Sequence, residues 1–380
     1  MKRNFIIMVL AMSLLLSGCG FLDGNYVSVT RHREQRLTSQ NDVTSASNYL
    51  ELMDVLEDMI ADGREVAAIN VAQYPQDALD DGMEMAIRHA RENYPIGAYA
   101  VEDVQYELGT SGGDPALSVT IVYQHSRAEI LRIRRVKDIQ EAEKLISDSL
   151  EGYESSIVFL VDNYFDRDFT QFVQDYTAAH PETVMETPQV TVGAYGTGQS
   201  RVVELIFTYQ TSRDSLRRMQ SQVKPVFDSA ALYVSGDGEQ RQKFSQLYAF
   251  LMDRFYYKIE TSITPAYSLL KFGVGDSRAF ATVYAAMCRG AGLECLTVTG
   301  TRAGEPWVWN IVLDEGRYYH VDLLRCNETG RYQEKTDGEM AGYVWDYAAY
   351  PQCTAAVTVE TAPAEETGET TAANSNEEKS

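Results

Sequence analysis

Ser277, Trp307, His320 and Asp322 are the residues of this sequence whose types and spacing could do covalent chemistry. Ser277 follows the Gly-rich turn Phe272-Gly273-Val274-Gly275-Asp276, which places it at or near the N-terminus of a helical stretch running to Gly290. A nucleophile there gains from the helix dipole, but a hydroxyl also needs a neighbouring base, and the base needs a carboxylate to orient it. Asp322 is the candidate carboxylate. Trp307 cannot serve as base, because an indole N–H only donates. His320 lies two residues before Asp322 on a strand-like segment, so the two should share a face, and its imidazole could reach Ser277 from an unusual direction. Two readings follow. Either Ser277 and His320 form a dyad, or Ser277, Trp307, Trp309 and Asp322 line a groove that binds without reacting.

The elements that must hold these residues are legible around them. Ala281, Tyr284, Ala285 and Cys288 fall on one face of the helix after Ser277. Gly290 and Gly292 end it, and Cys295 opens an apolar strand. Glu305–Val312 and Tyr318–Asp322 read as two further strands, joined by a turn at Asp314-Glu315-Gly316.

This order resembles the bacterial transglutaminase-like domain, a relative of the papain-type fold. That family opens its helix with a Gly-rich turn and a catalytic Cys, ends it in an Ala-Gly-Ile-like turn, and carries its His in His-Ala-Trp-Asn and its Asp in a Tyr-His-Val-Asp-like strand. Here Ser277 stands fifteen residues before Gly292 and occupies the Cys position. Trp307, in Trp307-Val308-Trp309-Asn310, occupies the His position, and Asp322 alone matches the triad. The resemblance spans Tyr256 to Cys353, including the ending Gly342-Tyr343-Val344-Trp345-Asp346. It implies a pseudo-enzyme, because triad members act as a unit and two are replaced. The alternative is an active amidase, peptidase or cross-linking enzyme using Ser277 with His320 or another His. No cofactor and no metal are implied, since the cysteine spacing carries no metal pattern.

The N-terminal half contains an internal duplication. Tyr123-Gln124-His125-Ser126-Arg127 returns as Tyr209-Gln210-Thr211-Ser212-Arg213, 86 residues later. Each motif ends the second of two strands, after an apolar strand (Val66–Ala72; Ile157–Asp162) and a helical pattern (Asp77–Asn93; Asp168–His180). A helix-like stretch follows each motif (Ile139–Leu150; Ser215–Phe227). The Tyr and Arg could grip a sugar or peptide, or could pack and pair within the fold. The basic run Arg132-Ile133-Arg134-Arg135 reads as a solvated or salt-bridged face.

The ends set the location. Met1-Lys2-Arg3-Asn4, the apolar run Phe5–Leu16 and Leu16-Ser17-Gly18-Cys19 form an export signal with a lipidation box, making Cys19 the lipid-bearing residue. The run is too short to span a bilayer. The formal net charge of -22 argues against a nucleic-acid partner. Twenty-four tyrosines fit Tyr-rich sheets and cores or polar-aromatic recognition surfaces. Beyond Cys19, an exported chain permits disulfides, and Cys326 with Cys353 is the candidate pair.

The expected fold class is α+β: a duplicated α+β N-terminal region followed by a transglutaminase-like, cysteine-protease-type α+β domain. The expected boundaries are 1–18 signal peptide, 19–47 tether, 48–138 and 139–228 repeats, 240–353 transglutaminase-like domain and 354–380 disordered tail. The partners expected are a membrane, through lipid on Cys19, and a peptide or cell-wall glycan; the sequence leaves the oligomeric state open. Metabolic labelling with a fatty-acid analogue should mark the wild-type chain and spare Cys19→Ser. Equal labelling of the two would exclude the anchor.

Overall fold

The computed structural model describes residues 44–234, 236–259 and 262–354. Cys19 and residues 355–380 of the tail lie outside them. Among the described residues no helix is long and apolar enough to cross a membrane. The described chain is a mixed α+β protein.

Two stretches of the N-terminal half have the same order of elements. The first runs through helix α1 (Tyr49–Ala61), strand β1 (Val66–Asn70), helix α2 (Leu79–Arg88) and strands β2 (Val101–Ser111) and β3 (Asp114–Tyr123). The second opens with strand β4 (Arg134–Val136) and continues as α3 (Ile139–Glu151), β5 (Ser156–Val161), α4 (Phe169–Ala179), β6 (Gln189–Tyr195) and β7 (Arg201–Thr208). In both, the last strand lies between the other two and is antiparallel to each: β1-β3-β2 and β5-β7-β6. The opening helices start alike, Asn48 accepting from the Glu51 amide and Asp138 from the Glu141 amide.

The shared motif ties the end of the last strand to the end of the opening helix. Arg127 Nε donates to the Asp62 carbonyl at 2.9 Å, and Arg213 Nε to the Gly152 carbonyl at 3.0 Å. Asp62 and Gly152 are the C-caps of α1 and α3, where carbonyls lack intrahelical partners. Tyr123 Oη donates to the carbonyls of Met59 and Arg64. These donors serve the fold, not a ligand. Two expectations need correction. Ile139–Leu150 is not the counterpart of the helix after the second motif; it belongs to α3, the counterpart of α1, because Asp138 caps it there. A single turn, Arg127–Ile130, follows the first motif, against the long α5 (Arg213–Tyr233) after the second. The boundary at 138/139 also cuts a sheet, since β4 pairs in parallel with β5.

After α5 come α6 (Gln240–Met252), α7 (Pro265–Phe272) and α8 (Ser277–Gly290), then strands β8 (Cys295–Arg302), β9 (Glu305–Asp314) and β10 (Arg317–Val321), helix α9 (Leu323–Thr329) and strand β11 (Tyr343–Trp345). The sheet order is β10-β9-β8-β11, antiparallel throughout. Gly273, with φ 81°, ends α7, and Asp276 caps α8 by accepting from the Ala279 amide at 2.9 Å. In α8, Ser277 and every residue from Ala279 to Cys288 are buried, so the helix is enclosed on all sides but one. Its Phe280, Val283, Tyr284 and Met287 share one core with Phe159, Phe169 and Val203 of the second stretch and with Leu216 and Val223 of α5. Gly300 lets β11 approach: a Cβ there would sit 2.2 Å from the Val344 carbonyl oxygen.

At the far end of β9, two buried carboxyls face each other. Asp314 and Glu334 lie within hydrogen-bond reach, and neither Asp314 Oδ1 nor Glu334 Oε1 has a donor. Burial is the first cause that raises both above the ordinary carboxylate range, and the second is Glu315 for Asp314 and Asp314 for Glu334; Arg241, 3.4 Å from Glu334 Oε2, opposes this only partly. A carboxyl whose folded pKa is raised stabilises the fold below its unfolded pKa near 4 and loses that contribution as pH rises through the folded value. Asp314→Asn gives Glu334 an amide donor. It should raise the melting temperature at pH 7 by about 2 °C and have little effect near pH 4. A thermal-melt series across pH checks this; an equal shift at both pH values would exclude a shared-proton pair.

Candidate functional site

The three positions of the expected triad come together, with Trp307 in place of a base beside Asp322. Ser277 is the first residue of α8, and its buried Oγ accepts from the Val308 amide on β9 at 3.3 Å. Trp307, also on β9, donates from Nε1 to Asp322 Oδ2 at 2.8 Å. Asp322 is not on β10, as expected, but one residue beyond it, as the N-cap of α9. Its Oδ1 accepts from the amides of Leu324 and Arg325, both at 3.1 Å. Its Oδ2 also accepts from Tyr343 Oη at 2.6 Å, with Arg302 Nη1 3.9 Å away. The carboxylate is thus satisfied by donors alone, as a buried acid must be. Burial, and then Asp322, push the Tyr343 phenol well above its usual range, so it remains a donor.

Tyr343 and Arg302 were not foreseen as partners of Asp322. Tyr343 stands in the matched ending, but nothing in its spacing shows that β11 crosses to Asp322. Arg302 carries no sequence signal. It also stacks its guanidinium over the Trp307 ring, 5.0 Å from the centroid, while Tyr257 packs on the same indole at 5.6 Å.

Two expectations about this site fail. Trp309 borders the closed space at Ser277 but offers no ring to a ligand: it is 1% exposed and packs with Val298, Met340 and Trp345. His320 does not reach Ser277. Its Nδ1 accepts from Trp309 Nε1 at 3.0 Å, and its Nε2 meets Asp337 Oδ1 at 2.8 Å. Because the indole can only donate, Nδ1 must hold a lone pair, and the proton sits on Nε2, donated to Asp337. Burial lowers the His320 pKa below its ordinary value, and Asp337 only partly offsets it. The imidazole is neutral and used at both nitrogens. His89 pairs with Glu57, His125 stacks on Tyr99 and His180 stacks on Tyr176. None of these four hydrogen-bonds Ser277.

The space between Ser277, Phe280, Val308, Asn310, Asp322 and Leu324 leaves no room for a water molecule. Asn310 contributes to closing it, donating to the carbonyls of Ala281 on α8 and Leu296 on β8.

His320, Asp337 and Cys353 offer a ligand atom each within 4.8 Å of one another. The tautomer argues against a metal there, because the nitrogen facing the other two carries the proton. The Cys326–Cys353 disulfide is likewise absent: both thiols are free and buried. Cys326 accepts from the Gln333 amide at 3.3 Å within the core around α8, whereas Cys353 packs with Trp309 and Trp345. Burial pushes the Cys326 thiol up to about 11 and the Cys353 thiol, with Asp337 adding, up to about 12, so neither is a ready thiolate.

The profile of the Transglutaminase-like superfamily matches residues 228–323, so the chain carries a transglutaminase-like domain. No curated protein matches the sequence. Three solved structures resemble the chain. A transglutaminase is 11% identical, covering 50% of this chain and 58% of its own, with a TM-score of 0.25. A protein named as a cysteine protease from Cytophaga hutchinsonii is 14% identical, covering 41% and 70%, with a TM-score of 0.25. A protein named as a protease from Parabacteroides distasonis is 9% identical, covering 56% and 47%, with a TM-score of 0.23. This chain therefore spans a little over half the length of the first of them.

Asp337 holds the His320 N–H through Oδ1 and the Cys353 amide through Oδ2 at 3.1 Å. Asp337→Ala orphans both donors and should cost about 3 kcal/mol of stability in urea denaturation. A cost below about 1 kcal/mol would show that the contact does not hold this side of the sheet together.

Proposed function

We propose that the chain is a membrane-anchored, extracytoplasmic lipoprotein whose transglutaminase-like domain binds an extended peptide or cell-envelope glycan without turning it over. The lipid anchor rests on the Leu16-Ser17-Gly18-Cys19 box. The non-catalytic reading rests on one observation: the Asp322 oxygen that would orient a base accepts instead from the Trp307 indole. Ser277 then has no base hydrogen-bonded to it among the described residues, and electrostatic help from a helix N-terminus cannot replace a base. The enzyme alternative would need His320, whose two nitrogens are already committed, or another His, and His89, His125 and His180 are engaged elsewhere. Retention of Asp322 fits a structural role, because its carboxylate caps α9 and anchors β9 and β11 at once.

Three purified forms on glutamine-containing and simple peptide substrates test this: wild type, Ser277→Cys, and Ser277→Cys with Trp307→His. Wild type should show no turnover and the double replacement should show some, because it restores a thiol and a base beside Asp322. Wild-type turnover abolished by Ser277→Ala would overturn the proposal.

A further inference from the structure

Arg278 interrupts the buried run of α8. It is exposed, and its guanidinium makes no ion pair or hydrogen bond among the described residues. It borders a cleft of about 120 Å³ where α4 and the segment after it meet α8, β8 and β9. No acidic side chain lines this cleft, although the chain carries a formal charge of -22. Its polar walls are threonines. Thr177 donates to the Gln174 carbonyl at 3.1 Å, so the 2.8 Å contact between Thr177 and Thr187 uses the Thr187 proton. The hydroxyls of Thr297 and Thr299 have no partner among the described residues. What remains free is the planar guanidinium, which only donates, and two hydroxyls that can donate, above the apolar side chains of Met185 and Val308.

A pocket whose one charge is a free guanidinium and that holds no acid favours an anion, and a guanidinium matches the two oxygens of a carboxylate by a bidentate bond. The cleft has room for about one side chain. It opens beside Val308, whose amide holds Ser277 Oγ, so a chain laid along this face next to the closed Ser277 would turn one side chain into it. A pyranose is a poorer fit, because no aromatic ring lines the cleft and the Trp307 face is already occupied by Arg302 and Tyr257.

We propose that this cleft receives the carboxylate side chain of an extended peptide, with Arg278 as its specificity residue. The inference rests on the reading of the domain as a binding module and names its ligand class. The test is fluorescence anisotropy of the full chain in detergent with labelled, acetylated and amidated Ala-Ala-Glu-Ala-Ala. The same peptide with Gln at the centre and an all-Ala peptide with a free C-terminus are the comparisons. The Glu peptide should bind at least about tenfold more tightly than the Gln peptide, a difference that shrinks with added salt. Arg278→Gln, an exposed change whose thermal melt serves as a folding control, should abolish that difference, and Arg278→Lys should retain part of it.

Equal binding of Glu and Gln peptides, or a preference that survives Arg278→Gln, overturns the assignment. So does Arg278-dependent binding of the free C-terminus alone, or binding of glycan strands and no peptide. Failure of the binding-module reading looks different: the wild-type chain would cleave or cross-link the Gln peptide, which mass spectrometry of the same samples detects.

Discussion

The Asp322 carboxylate holds the site in one arrangement. Four hydrogen bonds converge on it from Trp307 on β9, Tyr343 on β11 and the first amides of α9. Charge-assisted bonds of this kind are about twice as strong as neutral ones, and removing the acceptor would strand four donors in a buried place. The acid is thus structural in its present company, whatever its ancestry. An acid that orients a base must leave one oxygen for the base; here that oxygen is shared by an indole and a phenol. Any change that restores a base must first displace the Trp307 N–H.

The second consequence lies on the other side of the sheet. Asn310 and the Val308 amide face α8, while Trp309 packs against Trp345 and Met340, as the two-residue period of a strand requires. Trp309 then fixes the His320 tautomer, and Asp337 takes the remaining proton. The single histidine of this domain is therefore a core element linking β9, β10 and the 337–353 segment. Burial and one donor-only neighbour both favour its neutral form.

Much of this was legible in the sequence where the information is local. Gly273 and Asp276 announce the start of α8, Gly292 with φ 73° its end, and Glu315-Gly316 with positive φ the β9–β10 turn. The α+β class and the helix–strand–strand order after Ser277 also follow from periodicity. What could not be read was where a regular pattern stops and what crosses from afar. His320 and Asp322 share a face only if the strand continues, but β10 ends at Val321 and Asp322 turns away as a cap. The Asp314–Glu334 contact and the Tyr343–Asp322 bond link residues 20 and 21 apart through a loop whose path no spacing reveals. The Ile139–Leu150 helix was visible as a helix, but its place at the start of a unit depends on which sheet it covers.

The junction between the second stretch and the C-terminal domain gives the duplicated half a physical role. Phe159, Phe169 and Val203 do not close a core of their own; they merge with Leu216 and Val223 of α5 and with the α8 side chains. A core continuous across two regions resists sliding, because interiors pack at crystal-like density and tolerate few alternative arrangements. The segment from Thr177 to Thr187 is carried on that core, so its threonines and Met185 stand at a fixed distance from Arg278. In a catalytic domain the ligand is aligned against a reactive pair. Here the space at Ser277 is filled, and the rigid wall supplied by the second stretch leaves the neighbouring cleft as the preorganised feature of this face. Preorganisation of this kind lowers the ordering cost of binding, because it is met in the fold before a ligand arrives.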